Sequence, residues 1–155
     1  MYQRILVPDD GSPTARKALD SAITLAKESN GQIRLVHLLE ELPYVGYGLY
    51  GNYNADLLEN LRTASNSILT DGLARIKSAG VMADTLLVDR FGELLGDATA
   101  KAATEWNADL IVVGTHGRRG VGRLFLGSGA EQIIRQAPVP VLVVRSDPPA
   151  TEAKG

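Results

Sequence analysis

Gly114-Thr115-His116-Gly117, nine further residues and then Gly127-Ser128 form the stretch whose residue types are suited to holding a phosphate. Gly114 and Gly117 follow the apolar run Leu110-Ile111-Val112-Val113, and without β-carbons they let the backbone turn sharply and approach a ligand closely. Gly127 and Ser128, with Gly129 behind them, open a predicted helix, where backbone amides and a hydroxyl meet an anion at the positive end of the helix dipole. The connection between Gly117 and Gly127 reaches at most about 30 Å at ~3.3 Å per residue, enough to leave and return around a triphosphate. Arg118, Arg119 and Arg123 lie inside it and can neutralise outer phosphates by charge-assisted hydrogen bonds. A solvated basic loop is the plainer reading of the same three residues. His116 stands in the glycine turn, where it can hydrogen-bond a phosphate.

Other chemistries lack their residues. No Gly-x4-Gly-Lys-Ser/Thr loop is present, and Gly-x-Gly-x-x-Gly does not follow the first apolar run, which argues against a P-loop enzyme and an ordinary nicotinamide dinucleotide domain. There is no nucleophile elbow, and the acidic residues are scattered along the chain. With no cysteine and two distant histidines, no zinc spacing or disulfide framework arises. His37 reads as a packed histidine within a strand, Trp106 as a packing residue, and Lys101 and Arg135 as solvated helix charges. A formal charge of −2 supplies no basic field and argues against nucleic acid as the main partner.

Alternating strands and helices must position the glycine segment. Ile5-Leu6-Val7 reads as a strand stopped by Pro8, and Ser12 as the cap of a helix with Pro13 in its first turn. Ala15, Ala18, Leu19, Ala22, Ile23 and Ala26 keep helical spacing up to a left-handed stop at Asn30-Gly31. Strands are expected over 33–39, 83–89, 110–113 and 139–144, and helices over about 55–78, 93–107 and 128–136. Leu58, Leu61, Ile68, Leu69 and Ile76 are the expected apolar face of the second helix. Right-handed crossovers then require one α/β domain, a doubly wound five-stranded parallel sheet with helices on both faces. In such sheets ligands sit beyond the carboxyl ends of the strands, where the winding reverses. That places the search at Pro8 to Ser12, Leu38 to Glu41, Asp89 to Gly92 and Gly114 to Ser128.

Gly114-x2-Gly117-x9-Gly127-Ser128 resembles the nucleotide-binding signature of the universal stress proteins. Its setting between Asp109-Leu110-Ile111-Val112-Val113 and Pro138-Val139-Pro140-Val141-Leu142-Val143-Val144 is similar too. The likeness extends to Ile5-Leu6-Val7-Pro8-Asp9-Asp10-Gly11-Ser12 and so covers nearly the whole chain. It implies a Rossmann-like fold of the adenine nucleotide alpha-hydrolase kind and ATP as ligand, with Mg2+ or Mn2+ as a possible companion. By the same resemblance, positions matching Pro8, Asp10 and Leu38 surround adenine and ribose, with Asp9 beside them in the motif. Those matching Val113, Gly114, Gly117, Gly127 and Ser128 hold ribose and phosphates. A carboxylate at a strand end also suits ribose hydroxyls on its own chemistry, and helix capping beside Ser12 is the alternative for Asp10. The chain departs from the family pattern at Gly129, where a bulkier residue is common, and at Ala130, where a hydroxyl is often found.

The expected function is a nucleotide-responsive, dimeric stress protein that binds ATP. Its alternatives are a slow metal-dependent ATP hydrolase and a nucleotide-independent dimer. Pro138 and Pro140 belong at a sheet edge, and the apolar run that follows them calls for covering, so a homodimer through Val139 to Val144 is expected. Residues 1–146 are read as one domain and 147–155 as a disordered polar tail. Tyr44 to Tyr53, a tyrosine-rich stretch, reads as a surface loop or an aromatic lid. The N-terminal residues lack the pattern of a signal peptide, and no apolar run approaches a membrane span, so a cytoplasmic location is expected.

Overall fold

The computed structural model describes residues 1–39, 55–89, 92–115 and 126–145. Strands and helices alternate through these residues as β1 (Arg4–Pro8), α1 (Pro13–Ser29), β2 (Gln32–Leu38), α2 (Ala55–Ser78), β3 (Met82–Val88), α3 (Leu95–Trp106), β4 (Leu110–Gly114), α4 (Ser128–Gln136) and β5 (Val141–Val144). All pairings are parallel and the strand order is β3-β2-β1-β4-β5. This is the doubly wound five-stranded α/β sheet expected from the sequence. The winding reverses between β1 and β4, which pair through Ile5 with Leu110 and Leu6 with Ile111.

Side-chain alternation assigns the helices to the two faces. Ile5, Val7, Ile33, Leu35, Leu110 and Val112 form one core with α1 and α2, while Leu6, Val36, Ile111 and Val113 form the other with α3 and α4. Because β1 and β4 are covered on both sides, their apolar runs are uninterrupted.

The local signals act where they were read. Ser12 is extended and its Oγ accepts the Ala15 amide at 3.1 Å, Pro13 follows as the first helical residue, and Asn30 ends α1 in the left-handed region at φ 57°. The left-handed residue is Asn30 itself, with Gly31 beyond it. Trp106 is buried in the core of the second face, with the guanidinium carbons of Arg4 and Arg34 at 4.3 and 4.9 Å from its ring centre.

Two element starts and the inner face of one helix differ from expectation. β5 begins at Val141 because Pro138 and Pro140 cannot donate to a ladder; the Pro140 carbonyl still accepts the Ile111 amide at 3.0 Å. α3 begins at Leu95, with Leu94 in extended backbone before it. The buried stripe of α2 is Ser65, Leu69, Gly72 and Ile76, whereas Leu58, Leu61 and Ile68 are only half-buried. At Gly72 the missing side chain lets this helix approach Leu35 of the sheet closely.

Candidate functional site

The β1–α1 turn is held by a chain of side-chain acceptors. Asp9 Oδ1 accepts the Gly11 amide at 2.8 Å, Asp10 Oδ1 accepts the Ser12 amide at 2.9 Å, and Ser12 Oγ then caps α1. Gly11 lies at φ +82°, which a side chain rarely adopts, and a β-carbon there would stand 3.1 Å from Ile68 of α2. Asp10 is half-buried at the carboxyl end of the sheet, and its carboxylate orders the turn while Ser12 does the helix capping.

Across the switch point, the end of β4 and the start of α4 are tied together. The Gly127 amide donates to the Thr115 carbonyl at 2.6 Å, and the Thr115 amide donates to Val144 at 2.9 Å. Thr115 and Gly127 therefore lie side by side where α4 begins. Gly127 provides no side-chain cap, and the first amide to bond within the helix is that of Glu131, to Gly127 at 3.0 Å. Ser128 is exposed, and Gly127 and Gly129 are half-exposed. The opening turn of α4 thus presents its amide end beside the end of β4, an arrangement suited to an anion.

Gly114 and Gly129 also have a packing role. A β-carbon on Gly114 would stand 2.6 Å from Thr14 Cγ2, and one on Gly129 would stand 2.8 Å from Leu95 Cδ2. Ala130 is buried against the second core as an apolar packing residue.

Pro8 and Val113 are buried, and Leu38 is half-buried at the end of β2. Asp89, just beyond β3, pairs with Arg62 of α2. His116, Gly117, Arg118, Arg119 and Arg123 lie outside the described residues, as do the tyrosine-rich stretch and the tail from residue 146.

Asp9 has a different environment from its neighbour. Its side chain is 0% exposed beneath α2, and its second oxygen, Oδ2, has no hydrogen-bond partner. Burial raises its pKa above the ordinary value, against the lowering effects of the Gly11 amide, Arg16 and His37. His37, read as a packed histidine, is buried with Nδ1 2.8 Å from the Asp9 carbonyl oxygen. Arg16 and Gly72 adjoin this carboxyl and were missed in the sequence. Neither belongs to a motif, and the contacts they make with Ile68 and Asp9 join distant segments.

Among the described residues no group of three or more His, Asp or Glu side chains is placed to hold a metal ion, and no helix is long and apolar enough to cross a membrane.

Comparison with known proteins agrees with this architecture. The model of the universal stress protein family matches residues 1–145. A universal stress protein of Methanocaldococcus jannaschii is 33% identical over 149 residues, covering 94% of this chain and 83% of its own. The crystal structure of a family member from Burkholderia pseudomallei, 30% identical, superposes with a TM-score of 0.70 over 94% of this chain and 97% of that one. A universal stress protein solved in complex with cAMP is 26% identical, with a TM-score of 0.65 and coverage of 94% and 98%. The chain belongs to the universal stress protein family.

Proposed function

We propose that this protein binds an adenine nucleotide, ATP foremost, across the carboxyl ends of β1 and β4, and that the bound state governs a homodimer acting in a stress response. The observation that carries the reading is the closure of the glycine loop by the Gly127 amide on the Thr115 carbonyl at 2.6 Å. It sets the uncapped start of α4 beside Gly114, on the reversal side of the sheet. The cAMP complex of a 26%-identical relative supports an adenine nucleotide as the ligand class.

In this reading Pro8, Asp10 and Leu38 face adenine and ribose, and Val113, Gly114, Gly117, Gly127 and Ser128 face ribose and phosphates. His116, Arg118 and Arg119 contribute to the outer phosphates. Asp9 contributes through the turn, because its carboxyl is closed off from solvent.

The test is the unfolding midpoint of denatured and refolded protein, which has shed carried-over ligand, measured with ATP and magnesium, with cAMP and with neither. A ligand at 100 to 1,000 times its dissociation constant adds about 2.7 to 4 kcal/mol, a rise on the order of 5 to 15 °C for a domain of this size. The rise is expected with ATP and is expected to vanish in Gly117→Val. A rise with cAMP alone would move the assignment to a cyclic mononucleotide, and no rise with any nucleotide would overturn it.

A further inference from the structure

We propose that the docking of α2 onto the β1–α1 turn is proton-linked through Asp9: the protonated carboxyl holds the contact closed, and proton loss opens it around Leu69 to Gly72.

The geometry is that of a carboxyl with only half of its hydrogen-bonding capacity met. Oδ1 accepts the Gly11 amide, but Oδ2 has no hydrogen-bond partner and no exposure. The α2 backbone lies directly above it: a β-carbon on Gly72 would stand 3.1 Å from Oδ2 and 2.5 Å from Leu35 Cδ1. The nearest cation, Arg16, holds Nη2 3.8 Å from Oδ2, beyond hydrogen-bond reach, while the same nitrogen donates to the Ile68 carbonyl of α2 at 3.3 Å.

A neutral carboxyl fits this site at moderate cost, whereas an ionised one needs donors on both oxygens. Two sources exist. Water reaches Oδ2 only if α2 lifts, and Arg16 reaches it only by moving from its present position against Ile68. Both routes loosen the same contact.

The groups acting on Asp9 from the surrounding elements are consistent with this. Arg16 on α1 and His37 on β2 favour the charged form, Asp10 in the turn disfavours it, and α2 faces it with Gly72. Burial outweighs them and raises the carboxyl above its ordinary value of 3.8. Because Ile68 lies over Gly11, lifting this part of α2 also uncovers the turn. The inference does not depend on nucleotide binding.

Hydrogen exchange of the full chain, corrected for intrinsic exchange rates, tests it across the range from acid to neutral pH. The opening of amides around Leu69 to Gly72 is expected to increase by up to about tenfold per pH unit between the ordinary carboxylate value and the raised value of Asp9, then to level off. In Asp9→Asn, which keeps the acceptor for Gly11 and leaves His37 in place, opening is expected to be independent of pH. Opening that is flat in the wild type, or equally pH-dependent in the variant, would overturn the proposal. If the variant does not fold, carboxyl-carbon NMR of the wild type decides. An Asp9 midpoint above the ordinary value that coincides with the exchange step supports the proposal, and a midpoint at or below that value rejects it.

Discussion

Thr14 Cγ2 lies 2.6 Å from where a β-carbon on Gly114 would stand, and the Thr14 carbonyl oxygen lies 3.0 Å from the same point. The first turn of α1 thus rests on the bare end of β4, and this contact brings the two sides of the switch point together. Gly114→Ala is expected to destabilise the protein by about 1 to 3 kcal/mol, as overpacking does where backbone is the obstacle. Urea unfolding followed by the fluorescence of Trp106, the sole tryptophan, measures it. An unchanged midpoint would show that the turn yields freely.

Gly72→Ala is expected to destabilise as well, although alanine in a helix interior ordinarily gains up to ~1 kcal/mol over glycine. The added carbon would stand 2.5 Å from Cδ1 of Leu35, which is 0% exposed, and overpacking costs of about 1 to 3 kcal/mol exceed the propensity gain. A rise in the urea midpoint would mean that α2 is not seated on Leu35.

Asp9 gives the stability a pH dependence of unusual sign. Its folded pKa is raised, so the folded state binds the proton more tightly than the unfolded state does. Its contribution is fully present below the ordinary value of 3.8 and is lost as pH rises through the folded value. The slope within that window is at most about 1.4 kcal/mol per pH unit. Comparing unfolding free energies of the wild type and Asp9→Asn across this window isolates the effect, because the other carboxylates are common to both. The difference between them should shift in favour of Asn as pH rises, and a constant difference would contradict the assignment.

Among the described residues β5 pairs with β4 on one side only, and Leu142 is 40% exposed on its short apolar run. If a second copy covers this edge, Leu142→Lys is expected to convert a dimer to monomer in sedimentation at micromolar concentration while leaving the unfolding transition of the monomer cooperative. A wild-type chain that sediments only as monomer would remove the homodimer from the proposed function.

Much of the architecture was legible because its signals are local. The Ser12-Pro13 start and Asn30 stop of α1 depend on neighbours within a turn, and the runs through β1 and β4 announce burial on both faces. The strand Val141 to Val144 was foreseeable for the same reason, apart from a start displaced by two prolines whose missing amides delay pairing. The inner face of α2 was less legible. Apolar spacing points to Leu58 and Leu61, yet these are half-buried while the helix approaches Leu35 and Asp9 closely at Gly72, and periodicity cannot register a contact made by the absence of a side chain.

From the sequence alone come the order and type of the elements, the placement of the glycine segment after a buried strand, and the family resemblance. All of these follow from short-range rules of spacing, capping and backbone freedom. Only the tertiary structure separated the two adjacent aspartates. Asp10 remains half-buried at the carboxyl end of the sheet, while Asp9 is sealed beneath α2 by Gly72, more than sixty residues away in the chain. Which oxygen finds a donor, and at what cost it holds a charge, depends on how closely a distant helix packs, and no local pattern encodes that distance.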